Sequence, residues 1–92
     1  MDDAQFQAIA KTLADPNRMA ALEMIATGDN HSCTDIRDRL GLSAATISHH
    51  VKELTESGLV THRKAAKFVI LTINRAVWRE YLKELQRRIG KI

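Results

Sequence analysis

Apolar side chains recur with a helical period in the first part of the chain. In residues 4–14 they stand at i, i+3, i+4 and i+7, the spacing of an amphipathic helix: Phe6, Ile9, Ala10 and Leu13. A second helix is predicted to begin at Pro16 with Asp15 as its N-cap, because proline has no amide hydrogen that the first turn would leave unpaired. Its predicted buried face consists of Met19, Leu22, Ile25 and Ala26. Residues 27–30 are predicted to form a loop.

Two shorter helical patterns follow and are joined by a tight turn. Ser32 is a suitable N-cap for a helix that begins at Cys33, and Gly41 supplies the left-handed conformation that ends a helix. Ser43 is the N-cap of the next helix, which reaches about Ser57 and has apolar positions at i, i+4 and i+7: Ile47, Val51 and Leu54. This arrangement predicts a helix-turn-helix, whose second helix, the recognition helix, enters a DNA major groove.

After the recognition helix the pattern changes from helical to β-rich. Residues 59–63 and 68–73 flank a basic turn at residues 64–67, which predicts a two-stranded antiparallel hairpin, or wing. Asn74 is a suitable N-cap for a final helix to about Ile89, with a wide apolar stripe: Trp78, Tyr81, Leu82, Leu85 and Ile89. The predicted fold is therefore mainly α with a small β-wing: a winged helix-turn-helix of five helices and a two-stranded antiparallel hairpin, in a single DNA-binding domain over residues 1–92.

Three segments of the chain resemble the ArsR/SmtB-type winged-helix repressors of bacteria. They are residues 15–18 at the start of a helix, residues 42–43 and 45–54 in the helix-turn-helix, and residues 57–60 before the wing, and together they span most of the chain in the family's order. The resemblance implies a homodimeric transcriptional repressor, which in many members of the family is released from its operator by an inducer. The inducer, the operator sequence, the regulated genes and the choice between repression and activation stay open.

The distribution of charge supports a nucleic-acid partner. The net charge of +3 divides into −3 for residues 1–42, with four Lys/Arg against seven Asp/Glu, and +6 for residues 43–92, with ten against four. Positive charge thus begins at the recognition helix, where a DNA-binding surface requires it. No apolar run approaches the roughly 20 residues that cross a bilayer, and Met1, Asp2 and Asp3 make an acidic start unlike a signal peptide. We expect a cytoplasmic protein.

The predicted DNA contacts lie on the recognition helix and the wing. They are Ser43, Ala44, Ala45, Thr46, Ser48, His49, Lys52, Arg63, Lys64 and Lys67. We assign base reading to Ser48 and His49, and phosphate or minor-groove contact to the cations. Ala44 and Ala45 stand where the resembled family more often has Gln and Ser; their methyl groups can contact thymine methyls, or they serve helix propensity alone. His50 matches a histidine of that family, and we expect it to be packed rather than to contact a base.

The apolar stripes of the first and last helices predict a two-fold dimer interface through residues 4–14 and 75–90, which the resemblance also implies. The predicted interface residues are Phe6, Ile9, Leu13, Trp78, Tyr81, Leu82, Leu85 and Ile89. A terminal helix has little of so small a domain left to cover, and this favours an interface. The alternative is that both stripes close the core of the protomer itself.

No metal site and no cofactor are predicted. The resemblance implies two known ligand patterns, and both are missing: Ser32 and Thr34 replace the two cysteines of one, and residues 75–90 contain no Asp or His for the other. His31 and Cys33 are two ligands, which are too few for a structural tetrahedral site. Cys33 as a redox switch stays an alternative, because a helix N-terminus activates a thiolate. Against it, a lone cysteine is commonly a small buried hydrophobe, and the chain has no second one.

Enzyme activity is not expected, because the chain has no phosphate-binding glycine loop and no nucleophile with an evident base. Two classes of function stay open. The first is a sequence-specific, homodimeric DNA-binding regulator without the known metal sites, and the second is a winged-helix module that binds a protein partner through its basic face. The basic wing and the polar start of the recognition helix favour the first, because a protein-docking face more often carries exposed aromatic residues.

Overall fold

The computed structural model describes residues 1–28 and 31–90, and in these residues it contains five helices and three strands. The elements are α1 (Asp3–Leu13), α2 (Pro16–Ala26), β1 (His31–Ser32), α3 (Cys33–Leu40), α4 (Ala44–Glu56), β2 (Val60–Ala65), β3 (Phe68–Ile73) and α5 (Arg75–Ile89). The predicted winged helix-turn-helix is confirmed. Of the loop predicted at residues 27–30, residues 29 and 30 lie outside the described part.

Each helix begins at a side chain that accepts a hydrogen bond from a backbone amide of the first turn. The N-caps are Asp2, Asp15, Ser32, Ser43 and Asn74. Because an uncapped first turn leaves amide groups without partners, these short polar side chains determine where the helices start. Four of the five caps were predicted from the sequence. The fifth, Asp2, was not, and α1 begins at Asp3, one residue before the predicted start at residue 4.

The wing is part of a three-stranded antiparallel sheet in the described residues, with the order β1-β3-β2. In the hairpin Val60 is opposite Ile73 and Ala65 is opposite Phe68, so the turn is shorter than predicted and Lys64 belongs to a strand. The third strand is β1, in which His31 is opposite Leu71. A strand of two residues has no periodic pattern, and the sequence therefore predicted only the hairpin.

The core lies between the helices and β3, and its centre is aliphatic. The side chains with the least exposure are Ile9, Ile25, Ile36, Leu54, Leu59 and Leu71. Helix α2 buries Ala21, Leu22 and Ile25, whereas Met19 and Ala26 are exposed, so the predicted buried face of this helix was partly wrong. Met19 and Ala26 lie to one side of that face, because each residue advances the helix by about 100°.

Helices α1 and α5 meet through an aromatic pair and a cluster of charges. The ring centroids of Phe6 and Tyr81 are 5.3 Å apart, and the Arg88 guanidinium carbon lies 3.9 Å from the Phe6 centroid. Arg88 also pairs with Glu84 on its own helix and, at 2.9 Å, with Asp3 of α1. These contacts bind the last helix to the first within one protomer and set the rotation of α5.

Gly58 allows the chain to leave α4 and enter the wing between α1 and α5. Its φ of +87° is a conformation that side chains with a Cβ rarely adopt, and a Cβ here would lie 2.9 Å from the Gln5 amide nitrogen. The positive φ at this passage beside Gln5 and Val77 therefore favours glycine, whereas the Gln5 side chain itself could shift.

Candidate DNA-binding interface

The turn of the helix-turn-helix is held by backbone hydrogen bonds. Gly41 takes the left-handed conformation with a φ of +65°, and its amide donates to the Asp38 carbonyl at 3.3 Å. The Leu42 amide donates to the Arg37 carbonyl at 2.9 Å. These bonds satisfy the last carbonyls of α3, and the chain is then free to turn at once into α4.

The start of α4 is ordered by two hydroxyl groups. Ser43 Oγ accepts a hydrogen bond from the Thr46 amide at 3.1 Å and donates to Thr46 Oγ1 at 2.8 Å. Ser43, Ala44 and Ala45 are exposed, and Thr46 is half-buried. The first turn of α4 therefore presents a fixed, largely uncovered surface.

One side of α4 anchors the helix and the other is exposed. Ile47, His50 and Leu54 are buried, and Val51 is half-buried. Ser48, His49 and Lys52, three of the predicted DNA contacts, are all exposed. Because the buried row fixes the rotation of the helix, these polar side chains are held toward solvent.

His50 is only 5% exposed, and neither ring nitrogen has a hydrogen-bond partner among the described residues. Burial lowers the pKa of His50 below its usual value, although the nearby Asp15 carboxylate opposes this effect. The imidazole thus serves as a neutral packing group between α4 and the start of α2. This matches the packed position expected from the sequence.

The wing carries the predicted cations on both of its faces. Arg63 and Lys64 are exposed neighbours on β2, and Lys67 lies in the turn. Successive residues of a strand point to opposite faces, so Arg63 and Lys64 project in different directions. Lys64 shares a face with Val69, its cross-strand partner, and with His62. Lys67 Nζ lies 5.5 Å from the centroid of the Phe68 ring, which is 43% exposed.

Cys33 and His31 do not form a shared ligand site. His31 Nδ1 lies 3.2 Å from the Asp35 carboxylate, whereas burial raises the pKa of the Cys33 thiol. A raised pKa keeps the sulfur protonated and unreactive, which argues physically against the redox alternative. In residues 1–28 and 31–90 no three His, Cys, Asp or Glu side chains are placed to hold a metal ion.

The eight predicted interface residues divide into two groups. Phe6, Ile9 and Tyr81 are buried in the core of the protomer itself. Leu13, Trp78 and Leu85 are half-buried, while Leu82 is 53% and Ile89 81% exposed. Sequence reasoning missed that Met19, which is 38% exposed, lines a hollow of about 230 Å³ together with Trp78. The sequence analysis had assigned Met19 to the buried face of α2, and the helical period alone gave no signal of this position.

None of the helices in the described part of the chain is both long and apolar enough to span a membrane.

The capped, polar-faced α4, the tight turn before it and the basic hairpin after it define a winged helix-turn-helix DNA-binding regulator. Residues 13–63 match the helix-turn-helix domain family, and the chain belongs to this family, as an ArsR-type transcriptional regulator. It is 36% identical over 64 residues to an arsenical resistance operon repressor of Staphylococcus xylosus. That segment covers 70% of this chain and 61% of the relative, less than two thirds of its length.

Two solved structures have the same fold. An ArsR-like transcriptional regulator from Rhodococcus sp. RHA1 superposes with a TM-score of 0.81 at 24% identity, over 95% of this chain and 80% of that one. The homodimeric winged helix-turn-helix DNA-binding domain of a possible ArsR-family regulator from Mycobacterium bovis gives a TM-score of 0.75 at 21% identity, over 100% and 91%. The family consists of DNA-binding regulators and is not an enzyme family.

Proposed function

We propose that this chain is a homodimeric repressor that binds operator DNA through α4 and the wing. The observation that carries the proposal is the division of α4 into a buried anchoring row and an exposed polar side that begins at a capped turn. Such a helix can enter a major groove without losing its packing. Ser48 and His49 would read base edges, and Lys52, Arg63, Lys64 and Lys67 would bind phosphates or the minor groove.

The DNA-binding half of the proposal is tested by fluorescence anisotropy. The protein is titrated into a labelled duplex from the region upstream of its own gene, and into a scrambled duplex of the same length and composition. We expect binding to the upstream duplex to be tighter by about 10³-fold or more, the usual lower bound for a specific regulator. Equal affinity for both duplexes would contradict operator recognition in that region.

We propose further that the exposed row of α5 forms the two-fold dimer interface. Trp78, Leu82, Leu85 and Ile89 follow one another at i, i+4, i+7 and i+11 and therefore form one side of the helix. In this row Leu82 and Ile89 are exposed and Trp78 and Leu85 are half-buried, and such an uncovered apolar surface favours association with a second copy. The homodimeric protein of the same fold from Mycobacterium bovis supports a second copy of this chain as the partner.

The interface is tested by sedimentation with two matched variants. Leu82→Asp places an unpaired charge in the proposed interface, whereas Phe68→Asp makes the same kind of change on the exposed wing. We expect the wild type and Phe68→Asp to sediment as dimers and Leu82→Asp as a monomer of native secondary structure. A dimeric Leu82→Asp would place the interface elsewhere.

A further inference from the structure

A groove between α4, the start of α3 and the wing has a volume of about 420 Å³. This volume lies within the range of roughly 300–1,000 Å³ that is usual for small-molecule sites. Its apolar lining comes from three elements, α3, α4 and β3: Cys33, Ile47, Val51 and Val69. The groove can therefore accommodate an apolar body about the size of a fused pair of aromatic rings.

The polar part of the groove is positive. It consists of Ser48, Lys52, Thr55 and His62, and none of the described residues that line the groove carries a carboxylate. Lys64 lies on the same face of the wing as His62, two residues further along β2. An anionic group on the ligand would thus find the Lys52 cation and hydroxyl or imidazole donors without a competing negative charge in the lining.

The chemistry of Cys33 favours an organic ligand over a metal ion. The side chain is half-buried, and burial raises the pKa of its thiol, so the groove wall presents a neutral sulfur rather than a thiolate. Soft metal ions bind the thiolate, whereas a neutral thiol behaves as a small apolar group.

We propose that this groove binds a small organic anion with an apolar body, such as an aromatic carboxylate, and that the ligand competes with DNA. The competition follows because Ser48 and Lys52 belong both to the groove lining and to the proposed DNA contacts. A ligand lodged between α4 and the wing holds Lys52 away from phosphate. The proposed competition with DNA, the regulatory half of the proposal, rests on the proposed function. The binding of the ligand to the groove, the binding half, does not.

The binding half is tested by nuclear magnetic resonance on the full chain without DNA. The probe is 1-naphthoate, with 1-naphthamide as the neutral control of nearly the same shape and acetate as the control for charge alone. We expect saturable shifts at the amides of Val51, Val69 and His62 with naphthoate. Naphthamide should bind about threefold more weakly, which lies within the range for a partly exposed ion pair, and acetate should give no saturable shift at these amides. Equal affinity for acid and amide, or shifts centred on the hollow at Trp78, would overturn the proposal.

Matched variants separate filling of the groove from damage to the fold. Val69→Trp fills the groove, whereas Thr72→Trp adds the same bulk at an exposed position of the same strand, outside the groove. We expect Val69→Trp to abolish naphthoate binding and Thr72→Trp to retain it, with circular dichroism reporting the fold. If Val69→Trp is unfolded, Lys52→Gln takes its place and should weaken naphthoate about threefold while leaving naphthamide unchanged. Full binding by a folded Val69→Trp, or naphthoate affinity unchanged by Lys52→Gln, would overturn the proposal.

The regulatory half is tested by adding naphthoate to the complex with the upstream duplex. We expect release of the DNA from the wild type and the Thr72→Trp variant at concentrations that saturate the groove. A saturated groove with no DNA released would overturn competition and leave the repressor proposal standing. Absence of operator binding together with saturable naphthoate shifts would instead remove the repressor proposal and leave the ligand site standing.

Discussion

Helices α4 and α5 each carry a row of apolar side chains, but they leave opposite kinds of surface exposed. Helix α4 buries Ile47 and Leu54 in the protomer and exposes polar residues such as His49. Helix α5 buries Tyr81 against α1 and exposes Leu82, its immediate neighbour. One helix is thereby suited to DNA and the other to a second protein chain.

The difference arises from what each helix packs against. The buried side of α5 includes Glu84, whose carboxylate is paired with Arg87 and Arg88, and this ion cluster occupies the contact with α1 beside Phe6. The apolar row of α5 is displaced to the flank as a result. The comparison teaches that a count of apolar positions does not decide which of them enter the core, because the neighbouring element accepts only one side of a helix.

The comparison is tested most strongly by the same substitution on both helices. Leu54 is 0% exposed, so Leu54→Ala should lower the free energy of unfolding by roughly 2–5 kcal/mol at any protein concentration. Leu82→Ala removes a half-exposed side chain and should cost little in the monomer, but it should weaken the dimer. Urea unfolding at two well-separated protein concentrations distinguishes the two effects. A loss from Leu82→Ala that equals that of Leu54→Ala and does not depend on concentration would contradict the proposed division.

The features that were predictable from the sequence are those that depend on neighbouring residues. The caps at Asp15, Ser32, Ser43 and Asn74 and the left-handed Gly41 act within one turn, and residue type alone identifies them. The exposed polar side of the recognition helix followed equally from the helical period.

Other features depend on contacts between distant parts of the chain. Strand β1 exists because His31 pairs with Leu71, and Tyr81 is buried because Phe6 of α1 lies against it. The groove likewise requires Cys33 and His62 to meet beside α4. No local pattern contains this information, and the sequence therefore could not assign Tyr81 and Leu82 to different surfaces.

Two substitutions on the DNA-binding surface distinguish side chains that read bases from side chains that only increase affinity for DNA. His49→Ala should reduce the free energy of discrimination between operator and random DNA by about 1–3 kcal/mol, the value of one good base contact, and leave the salt dependence nearly unchanged. Lys64→Ala should weaken both DNAs alike and reduce the salt slope by about one unit. Isotherms at several salt concentrations on both duplexes measure these quantities. If Lys64→Ala abolished sequence preference with an unaltered slope, the two roles would have to be exchanged.

A smaller effect is expected from pH at the buried side of α4. His50 faces Asp15 and Arg18 of α2 and lies near His49 and Glu53 of its own helix, and burial lowers its pKa below the usual 6.5. The His50 imidazole therefore binds a proton more readily in the unfolded chain than in the folded one. Its contribution to stability is complete above about pH 6.5, where both states are neutral, and it falls as the pH is lowered through that value. Thermal unfolding in this range should show a flatter pH dependence for His50→Gln than for the wild type. Parallel curves for wild type and His50→Gln would contradict this assignment.

The smallest effect concerns the ion cluster that sets the rotation of α5. Hydrogen bonds from Arg87 and Arg88 lower the pKa of Glu84 from 4.5 to about 2. The stabilisation by the ionised carboxylate is therefore present above about pH 4.5 and is lost as the pH falls toward about 2. Because the Arg87 side chain is 69% exposed, solvent screens the pair and the change is modest. Glu84→Gln should lower the melting temperature at neutral pH and match the wild type near pH 2, whereas the exposed Glu80→Gln should differ little at either pH. A Glu84→Gln deficit that persisted unchanged at about pH 2 would mean that side-chain packing, and not charge, holds α5 against α1.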